Sequence, residues 1–246
     1  MEVIDNREIT DNVFILRLEL TENALKPEPG QFYLLRPDSG YDPLLGRPFS
    51  AFRWNNDWIE FLIRKTGRGT ALLSTFRPGD HIRILGPLGR SFPPHSPHKT
   101  PVVLAGGIGM ASVYSLTLKH KAEHIFIYGA KSATELLLTE DIRPRVRELY
   151  LCTDDGSMGF QGNVVEFFTE FLKKTSSHSI VVYACGPEKM TKSLMEILKK
   201  YNIESYLSLE ERMACGLGAC MGCAKDTKTG MKRVCMEGPV FNIEEL

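Results

Sequence analysis

The first part of the chain, up to about residue 92, shows short alternations of apolar and polar residues. The apolar positions fall into four sets: Phe14, Leu16, Leu18 and Leu20; Phe32 and Leu34; Ile59, Phe61 and Ile63; Ile82 and Ile84. A period of two predicts strands with one buried face, and the Pro and Gly clusters between them mark turns. One such cluster, Gly86 to Gly89, is interpreted as a structural turn. We therefore predict an N-terminal antiparallel β-barrel.

From residue 100 the pattern changes to short apolar strands that alternate with helical segments. The predicted strands are 101–105, 124–128, 149–153, 180–184 and 205–209, and the predicted helices are 110–120, 133–142, 163–174 and 187–200. Such repetition implies a doubly wound parallel sheet covered by helices on both faces. The Pro-rich, polar stretch 93–100 is interpreted as an interdomain linker. The predicted domains are 1–99, 100–210 and a C-terminal segment, 211–246.

Composition limits the classes of partner and the cellular location. The chain has 246 residues, 43% of them hydrophobic, and its 30 basic and 30 acidic residues cancel. This balance gives no reason to expect a nucleic-acid or anionic-membrane surface. The N-terminus has no signal-peptide pattern, and no apolar run approaches the ~18 residues of a membrane span. With four of six cysteines in one motif, the sequence fits a reducing, cytoplasmic compartment.

That motif has the spacing C-x4-C-x2-C-x11-C and consists of Cys215, Cys220, Cys223 and Cys235. The spacing is the plant-type arrangement whose thiolates hold a 2Fe-2S cluster. We expect Gly216, Gly218 and Gly222 to let backbone N–H groups approach the sulfurs. A zinc knot or a disulfide pair is the alternative. Structural zinc sites usually present two C-x2-C-like pairs, and this chain has one.

The predicted barrel contains two stretches suited to a flavin dinucleotide. The first consists of Arg47, Pro48, Phe49 and Ser50, and the second of Leu62, Ile63 and Arg64 followed by Gly69 and Thr70. The Arg47 guanidinium can fork onto a pyrophosphate, while Phe49 and Ser50 can offer an apolar face and a hydrogen bond to the flavin ring. Gly69 and Thr70 begin a predicted helix, where free N–H groups favour a phosphate. The alternatives are an edge strand with a surface arginine, and an ordinary N-cap threonine.

The α/β part has features of a nucleotide site at the carboxyl ends of its strands. These positions are Gly106, Gly107, Gly109, Gly129, Asp154, Asp155, Cys185, Gly186 and Pro187. Ligands of open α/β sheets bind at that edge, so we expect one crevice there. A carboxylate near the ribose would favour NAD(H) over NADP(H), and only Lys131 follows the second strand.

Two features of the α/β part allow a structural interpretation as well. Cys185 could lie near a nicotinamide or be a small buried hydrophobe. The apolar face of the last helix is assigned to the core: Met190, Leu194, Ile197 and Leu198.

Together these motifs resemble the ferredoxin-NADP reductase superfamily across residues 1 to about 205. With the cysteine motif included, the whole chain resembles the electron-transfer subunits of NAD-dependent, class 1B dihydroorotate dehydrogenases. Three stretches are similar to that family's pattern: Thr153 to Ser157, Cys215 to Cys223, and Val234 to Phe241.

The resemblance implies one FAD, one 2Fe-2S cluster, NAD as substrate, and a partner. The partner is an FMN-containing dihydroorotate dehydrogenase catalytic subunit, in a heterotetramer of two plus two. The Arg-Pro-x-Ser element, the strand from Leu62 to Arg64 and the Gly69–Thr70 pair would contact FAD, and the four cysteines would ligate the cluster. Electrons would pass from dihydroorotate through FMN, the cluster and FAD to NAD+, in pyrimidine biosynthesis. No residue of this chain need act as a general acid or base.

Other oxidoreductase complexes remain as alternatives. Small flavin and iron-sulfur subunits of NAD(P)H-ferredoxin transhydrogenases and sulfide dehydrogenases have similar architectures, so the reaction depends on the partner. A free-standing oxygenase reductase usually has a separate ferredoxin domain, whereas residues 211–246 are too few for a core of their own. A redox sensor would need a DNA-binding or signalling segment, and the sequence contains none. Four apolar residues near the last cysteine could pack internally or against a partner: Val234, Met236, Val240 and Phe241.

Overall fold

A computed structural model describes residues 1–38, 43–119 and 122–246. Contacts between residues divide the chain into two compact units. The first unit comprises Met1–Ser91 and Glu210–Pro239, and the second comprises Phe92–Leu209 and Val240–Leu246. The C-terminal segment therefore contributes to both units. The predicted end of one helix, at residue 120, lies outside the described residues.

The first unit is built from antiparallel strands. In chain order its elements are β1 (Val3–Thr10), β2 (Val13–Glu19), β3 (Phe32–Pro37), β4 (Arg47–Ser50), β5 (Arg53–Trp54), β6 (Trp58–Arg64), α1 (Arg68–Leu73) and β7 (Ile82–Leu88). One sheet has the order β1-β2-β6-β5 and the other β4-β3-β7. The polar strand β1 and the two-residue β5 were not predicted, because neither shows an apolar alternation. The turn predicted at Gly86 to Gly89 is wrong for its first three residues, which belong to β7.

One core joins both sheets of the first unit. The alternating residues of β2 and β6 face the same side, with Leu16 opposite Phe61. They pack with residues of β3, β7 and α1 in a single buried cluster, where the rings of Tyr33 and Phe61 meet edge to face at 5.7 Å. On the opposite face of β6, the fully buried Glu60 accepts from Arg17 at 2.7 Å and Arg53 at 2.6 Å. The period-two pattern therefore identifies the core face, and the fold class predicted for this part is confirmed.

The second unit contains a seven-stranded sheet. Its elements are β8 (Thr100–Gly106), α2 (Met110–Tyr114), α3 (Leu116–Lys119), β9 (Ile125–Ala130), α4 (Thr139–Ile142), β10 (Glu148–Thr153), β11 (Phe160–Gln161), α5 (Val164–Leu172), β12 (Ile180–Cys185), α6 (Glu188–Lys200) and β13 (Ser205–Ser208). The C-terminal segment adds β14 (Ala224–Thr227), β15 (Gly230–Arg233) and β16 (Val240–Asn242). The sheet order is β11-β10-β9-β8-β12-β13-β16, parallel except for β16, which runs antiparallel to β13.

Two helices differ from the sequence prediction. In place of a continuous helix over 133–142, a 3-10 turn at Ala133–Glu135 is followed by α4, and Leu138 between them has a left-handed φ of 54°. The helix predicted from residue 110 is divided at Ser115 into α2 and α3. Helix α5 begins as predicted, because the Asn163 side chain accepts from the N–H groups of Val165 and Glu166.

The C-terminal segment has no core of its own and uses those of the two units. Strands β14 and β15 form a hairpin in the first unit, whereas β16 extends the sheet of the second. Val234, Val240 and Phe241 are buried, so these three residues pack internally, and Met236 remains 47% exposed. No helix in the described part of the chain is long and apolar enough to cross a membrane.

Candidate functional site

The four cysteines of the C-terminal motif differ in burial. Cys223 and Cys235 are almost fully buried, Cys215 is half-buried and Cys220 is exposed. Backbone N–H groups point at the sulfurs: Leu217 N lies 3.4 Å from Cys215 Sγ, Gly222 N 3.4 Å from Cys220 Sγ, and Cys235 N 3.4 Å from Cys223 Sγ. The loop thus gives each of three sulfurs a backbone N–H donor, as expected for a thiolate site.

The thiols differ in their electrostatic surroundings, and the last two cysteines are joined directly because Cys235 N donates to Cys223 Sγ. Hydrogen bonds from the N–H groups of Leu217 and Cys220 lower the pKa of Cys215 to about 6, whereas burial raises the pKa of Cys235 to about 11. In the described residues no three His, Cys, Asp or Glu side chains are arranged to hold a single metal ion. Four thiols in one segment fit the donor set of a two-iron cluster, in which each iron takes two thiolates.

The three glycines of the loop have different roles. Gly222 donates its N–H to a sulfur, as predicted. Gly216 has a φ of 69°, and a Cβ there would lie 2.6 Å from a methyl of Leu34 on β3. Gly218 has a φ of 74°, and a Cβ there would lie 2.6 Å from Met236. The left-handed backbone and the close packing therefore explain why Gly216 and Gly218 are glycines at least as well as access of their N–H groups to sulfur does.

Arg47 and Gly69, two residues predicted for the flavin site, are in direct contact. A Cβ on Gly69 would lie 2.1 Å from Nε and 2.4 Å from Cζ of Arg47, so only glycine leaves room for the guanidinium at its present position. Arg47 also donates to the carbonyl oxygen of Leu45. Strand β4 and helix α1 thereby place a fork of N–H donors beside the first turn of the helix. This arrangement fits a phosphate or pyrophosphate group.

Thr70 is the third residue of α1, not its N-cap. Its hydroxyl oxygen accepts from the N–H groups of Thr66 at 2.9 Å and Gly67 at 3.1 Å, and its proton is donated to Gly67 O at 2.9 Å. Both lone pairs and the proton are therefore used within the turn. Contact of the Gly69–Thr70 pair with a phosphate would have to come from backbone N–H groups.

The other predicted flavin residues lie on the neighbouring strands. Ser50 and Pro48 are half-buried on β4, and Phe49 packs partly against the core of the first unit. On β6 the side chains of Leu62 and Ile63 are buried and Arg64 is half-buried. A ligand could reach this stretch of β6 through Arg64 or through the backbone. The contacts of these residues with a flavin stay predictions.

The second unit brings most of the predicted nucleotide residues to one edge of its sheet. Three neighbouring strands end at or next to predicted nucleotide residues: β8 at Gly106, β9 one residue after Gly129, and β12 at Cys185. A Cβ on Gly109 would lie 2.8 Å from Cys185 C and from Gly186 N. The glycine turn after β8 therefore packs directly on the end of β12, and Gly107, with a φ of 52°, provides the required left-handed turn.

The two aspartates after β10 differ in their partners. Asp155 accepts from the backbone N–H of Ser157 at 2.9 Å and from its hydroxyl, and these hydrogen bonds lower the pKa of Asp155. The side chain of Asp154 is exposed at the end of β10. The carboxylate of Asp155 is therefore engaged by Ser157, and contact of Asp154 with a ribose stays a prediction.

One residue assigned to the core by the sequence analysis packs against two glycines of the predicted nucleotide site. Leu194 and Leu198 of α6 are fully buried, as predicted, but Met190 and Ile197 are only half-buried. A Cβ added to Gly106 would lie 2.5 Å from the Met190 sulfur, and a Cβ added to Gly186 would lie 2.6 Å from it. The core assignment is therefore confirmed for Leu194 and Leu198 only, and Met190 packs against the glycines of the predicted nucleotide site, beside Pro187. Cys185 is 1% exposed and fits the small buried hydrophobe.

Sequence reasoning missed an ion pair next to the cysteines. Arg233 and Glu237 lie two residues before and after Cys235, and the Arg233 guanidinium lowers the pKa of Glu237 to about 2. Opposite charges four residues apart are a sequence signal for an ion pair, but only the structure shows that these two side chains are in contact.

Comparison with known proteins agrees with this geometry. The iron-sulfur cluster binding domain of dihydroorotate dehydrogenase B is the family whose model matches residues 210–246. The dihydroorotate dehydrogenase B (NAD(+)) electron transfer subunit of Clostridium acetobutylicum is 35% identical, over 100% of this chain and 95% of that protein. A homolog of this subunit from Aquifex aeolicus is 37% identical, over 100% of this chain and 96% of that protein. The chain belongs to the family of dihydroorotate dehydrogenase B electron transfer subunits.

The resemblance inferred from the motifs is thereby confirmed, as is the assignment to the electron-transferring oxidoreductase subunits. Among solved structures, an NADH-dependent reduced ferredoxin-NADP oxidoreductase has a TM-score of 0.82 and 23% identity, covering 99% of this chain and 88% of that chain. A ferredoxin reductase in carbazole 1,9a-dioxygenase has a TM-score of 0.71 and 21% identity, covering 82% and 64%. These likenesses confirm the ferredoxin reductase-like fold of the electron transfer subunit.

Proposed function

We propose that this chain passes electrons between an FMN-containing, dihydroorotate-oxidising catalytic subunit and NAD+ in the cytoplasm, as part of pyrimidine biosynthesis. The assembly is a heterotetramer of two catalytic and two electron-transfer subunits. The cofactor set is FAD, a 2Fe-2S cluster and NAD, where the cluster supplies one-electron transfer and FAD links it to hydride exchange with NAD. Family membership supports the proposal, and the backbone N–H donors at three of the four cysteine sulfurs are the structural observation that carries it.

The residues of this chain bind and position the cofactors. The four cysteines would hold the cluster, and N–H groups from Leu217, Gly222 and Cys235 would favour their thiolate form. Arg47, which contacts Gly69, would neutralise the FAD pyrophosphate. In the second unit, the glycine turn after β8 and the Cys185–Gly186 strand end would bind the nicotinamide nucleotide, and Asp154 would accept from its ribose.

Exposed apolar residues in the cysteine segment support a protein partner. Four apolar side chains of this segment are strongly exposed: Leu217 (60%), Met221 (47%), Met231 (60%) and Met236 (47%). We call these four residues the methionine rim. Large exposed apolar side chains grouped in one segment are typical of interaction sites, and methionine is favoured there because its chain is flexible. The rim would bring the partner's FMN towards the exposed Cys220.

Reconstitution tests the proposed function. The purified chain should reduce artificial acceptors with NADH but should not oxidise dihydroorotate. Adding the FMN-containing catalytic subunit should give NAD-linked dihydroorotate oxidation and a complex that co-elutes in gel filtration. Dihydroorotate oxidation by the purified chain alone would contradict the proposal. A strong preference for NADPH would instead favour the transhydrogenase alternative.

A rim variant tests the contact surface separately. Met231→Lys places a charge on the methionine rim and should weaken co-elution while NADH oxidation by the isolated chain stays unchanged. Leu25→Lys is the matched control, because Leu25 is 75% exposed in the same unit and lies outside the rim. Equal weakening by both variants would remove the rim from the interface.

A further inference from the structure

The side chain of Arg233 connects the two parts of the cysteine motif. Its Nη1 donates to Gly218 O at 3.0 Å, in the loop that carries the first three cysteines. Its Nε donates to Glu237 Oε2 at 3.2 Å and its Nη2 donates to Glu237 Oε1, beyond the fourth cysteine. The backbone N–H of Arg233 donates to the same carboxylate at 2.7 Å. One guanidinium therefore ties the loop to the segment that carries Cys235.

This connection is specific to the geometry of both partners. A Cβ on Gly218 would lie 3.1 Å from Nη1 of Arg233, so a larger residue would push the guanidinium away from the loop. The residues next to Arg233 are also fixed to the loop, since Val234 N donates to Cys223 O at 3.1 Å and Cys235 N to Cys223 Sγ at 3.4 Å. Only a planar fork of five donors can reach Gly218 and both Glu237 oxygens at once, and lysine cannot replace it.

The ion pair also places two opposite charges two residues before and after Cys235, and the Arg233 charge interacts with Cys235 and Cys223. The Arg233 side chain is 36% exposed and that of Glu237 22%, so both charges are partly shielded from water. An electron that arrives at the four-cysteine site adds one negative charge there. A nearby cation stabilises that charge and a nearby carboxylate opposes it, by an amount that depends on distance and shielding.

We propose that Arg233 and Glu237 are positioning residues that set the reduction potential of the cluster, Arg233 raising it and Glu237 lowering it. The inference rests on the proposed function, because it requires that the four cysteines hold a 2Fe-2S cluster. Arg233 fixes the cysteine loop against the Cys235 segment, and Glu237 fixes Arg233. The pair therefore determines geometry and charge at the same place.

The test is a redox titration of the holoprotein, followed by electron paramagnetic resonance, with iron and sulfide measured for each chain. Arg233→Gln should shift the midpoint potential to a lower value, because it leaves the Glu237 carboxylate uncompensated. Glu237→Gln should shift it to a higher value, because it leaves the guanidinium uncompensated. The double variant should return towards the wild-type potential. Arg233→Lys keeps the charge but loses the fork, so its potential should shift less than that of Arg233→Gln while the cluster is lost faster to a chelator.

An ion pair outside the cysteine segment is the matched control. Lys99 and Glu204 of the second unit are joined at 2.7 Å and are similarly exposed, at 29% and 35%. Lys99→Gln should leave the potential close to that of the wild type. Shifts of the same sign in Arg233→Gln and Glu237→Gln, or unchanged potentials in fully loaded variants, would overturn the proposal. If Arg233→Gln holds no cluster, the potentials of Glu237→Gln and Arg233→Lys decide the question. Unchanged potentials in both variants would mean that the ion pair has only a structural role. A wild-type chain without iron and sulfide would refute the proposed function instead.

Discussion

Gly69→Ala would displace the Arg47 guanidinium without removing its charge. The added Cβ would meet Nε, Cζ and Nη2 of Arg47 at 2.1, 2.4 and 2.7 Å. Because these atoms end a flexible side chain, we expect the guanidinium to move and α1 to stay in place. The substitution therefore tests whether the position of Arg47 matters for FAD.

The expected loss of FAD affinity follows from the lost contact between Arg47 and the pyrophosphate. A hydrogen bond to a charged group contributes about 1.5–3 kcal/mol, and each ~1.4 kcal/mol changes a dissociation constant tenfold. Arg47→Ala should raise the Kd for FAD about 10- to 150-fold, and Gly69→Ala should approach the same range. Folding stability should change by less than about 1 kcal/mol, since Gly69 lies in a helix where alanine is favoured.

The assay is titration of FAD into flavin-free protein at fixed salt concentration, with thermal unfolding as a check of folding. In the Arg47→Ala background the three nearest atoms are gone, so Gly69→Ala should have little further effect. Gly67→Ala is the control, because nothing lies within 4 Å of its added Cβ. If the two substitutions lower FAD affinity additively, or if Arg47→Ala keeps the wild-type Kd for FAD, the reasoning is refuted.

Three further predictions concern the cluster, the nucleotide and stability. Cys220→Ser should lose iron and sulfide yet keep FAD, whereas Cys152→Ser should keep both; a full cluster in Cys220→Ser would refute its assignment as a ligand. NADH should reduce the flavin faster than NADPH in stopped-flow experiments, and Asp154→Asn should narrow the difference; an unchanged ratio would remove Asp154 from the site. The hydrogen bond from Lys99 lowers the pKa of Glu204 below its usual 4.5, so this stabilisation is present above pH 4.5 and is lost as the pH falls through the folded-state pKa. Glu204→Gln should therefore reduce the unfolding free energy at pH 7 by at most about 1 kcal/mol, and the difference should vanish in acid.

Much of the fold could be predicted because its signal is local. The alternation in β2 and β6 marks the core face of the first unit, and the repeated β-α pattern gives the parallel sheet of the second. The failures also have physical reasons. Strand β1 is mostly polar, and β7 continues through the Gly86–Pro87 peptide by pairing with β3, which local turn propensity does not show. The helix predicted from Ala133 breaks at Leu138, whose left-handed backbone is not encoded by an apolar pattern.

The sequence alone determined the chemistry of the cysteine motif, because ligand type and spacing along the chain are covalent properties. It also identified Arg47, Gly69 and the glycine turn at Gly106 to Gly109 as separate candidates. Only the tertiary structure decided that Arg47 packs on Gly69, that Met190 packs on Gly106 and Gly186, and that Arg233 binds both Gly218 and Glu237. The structure likewise assigns Val240–Asn242 to the sheet of the second unit. These contacts join residues far apart in the chain, and local periodicity contains no information about which distant residues will meet.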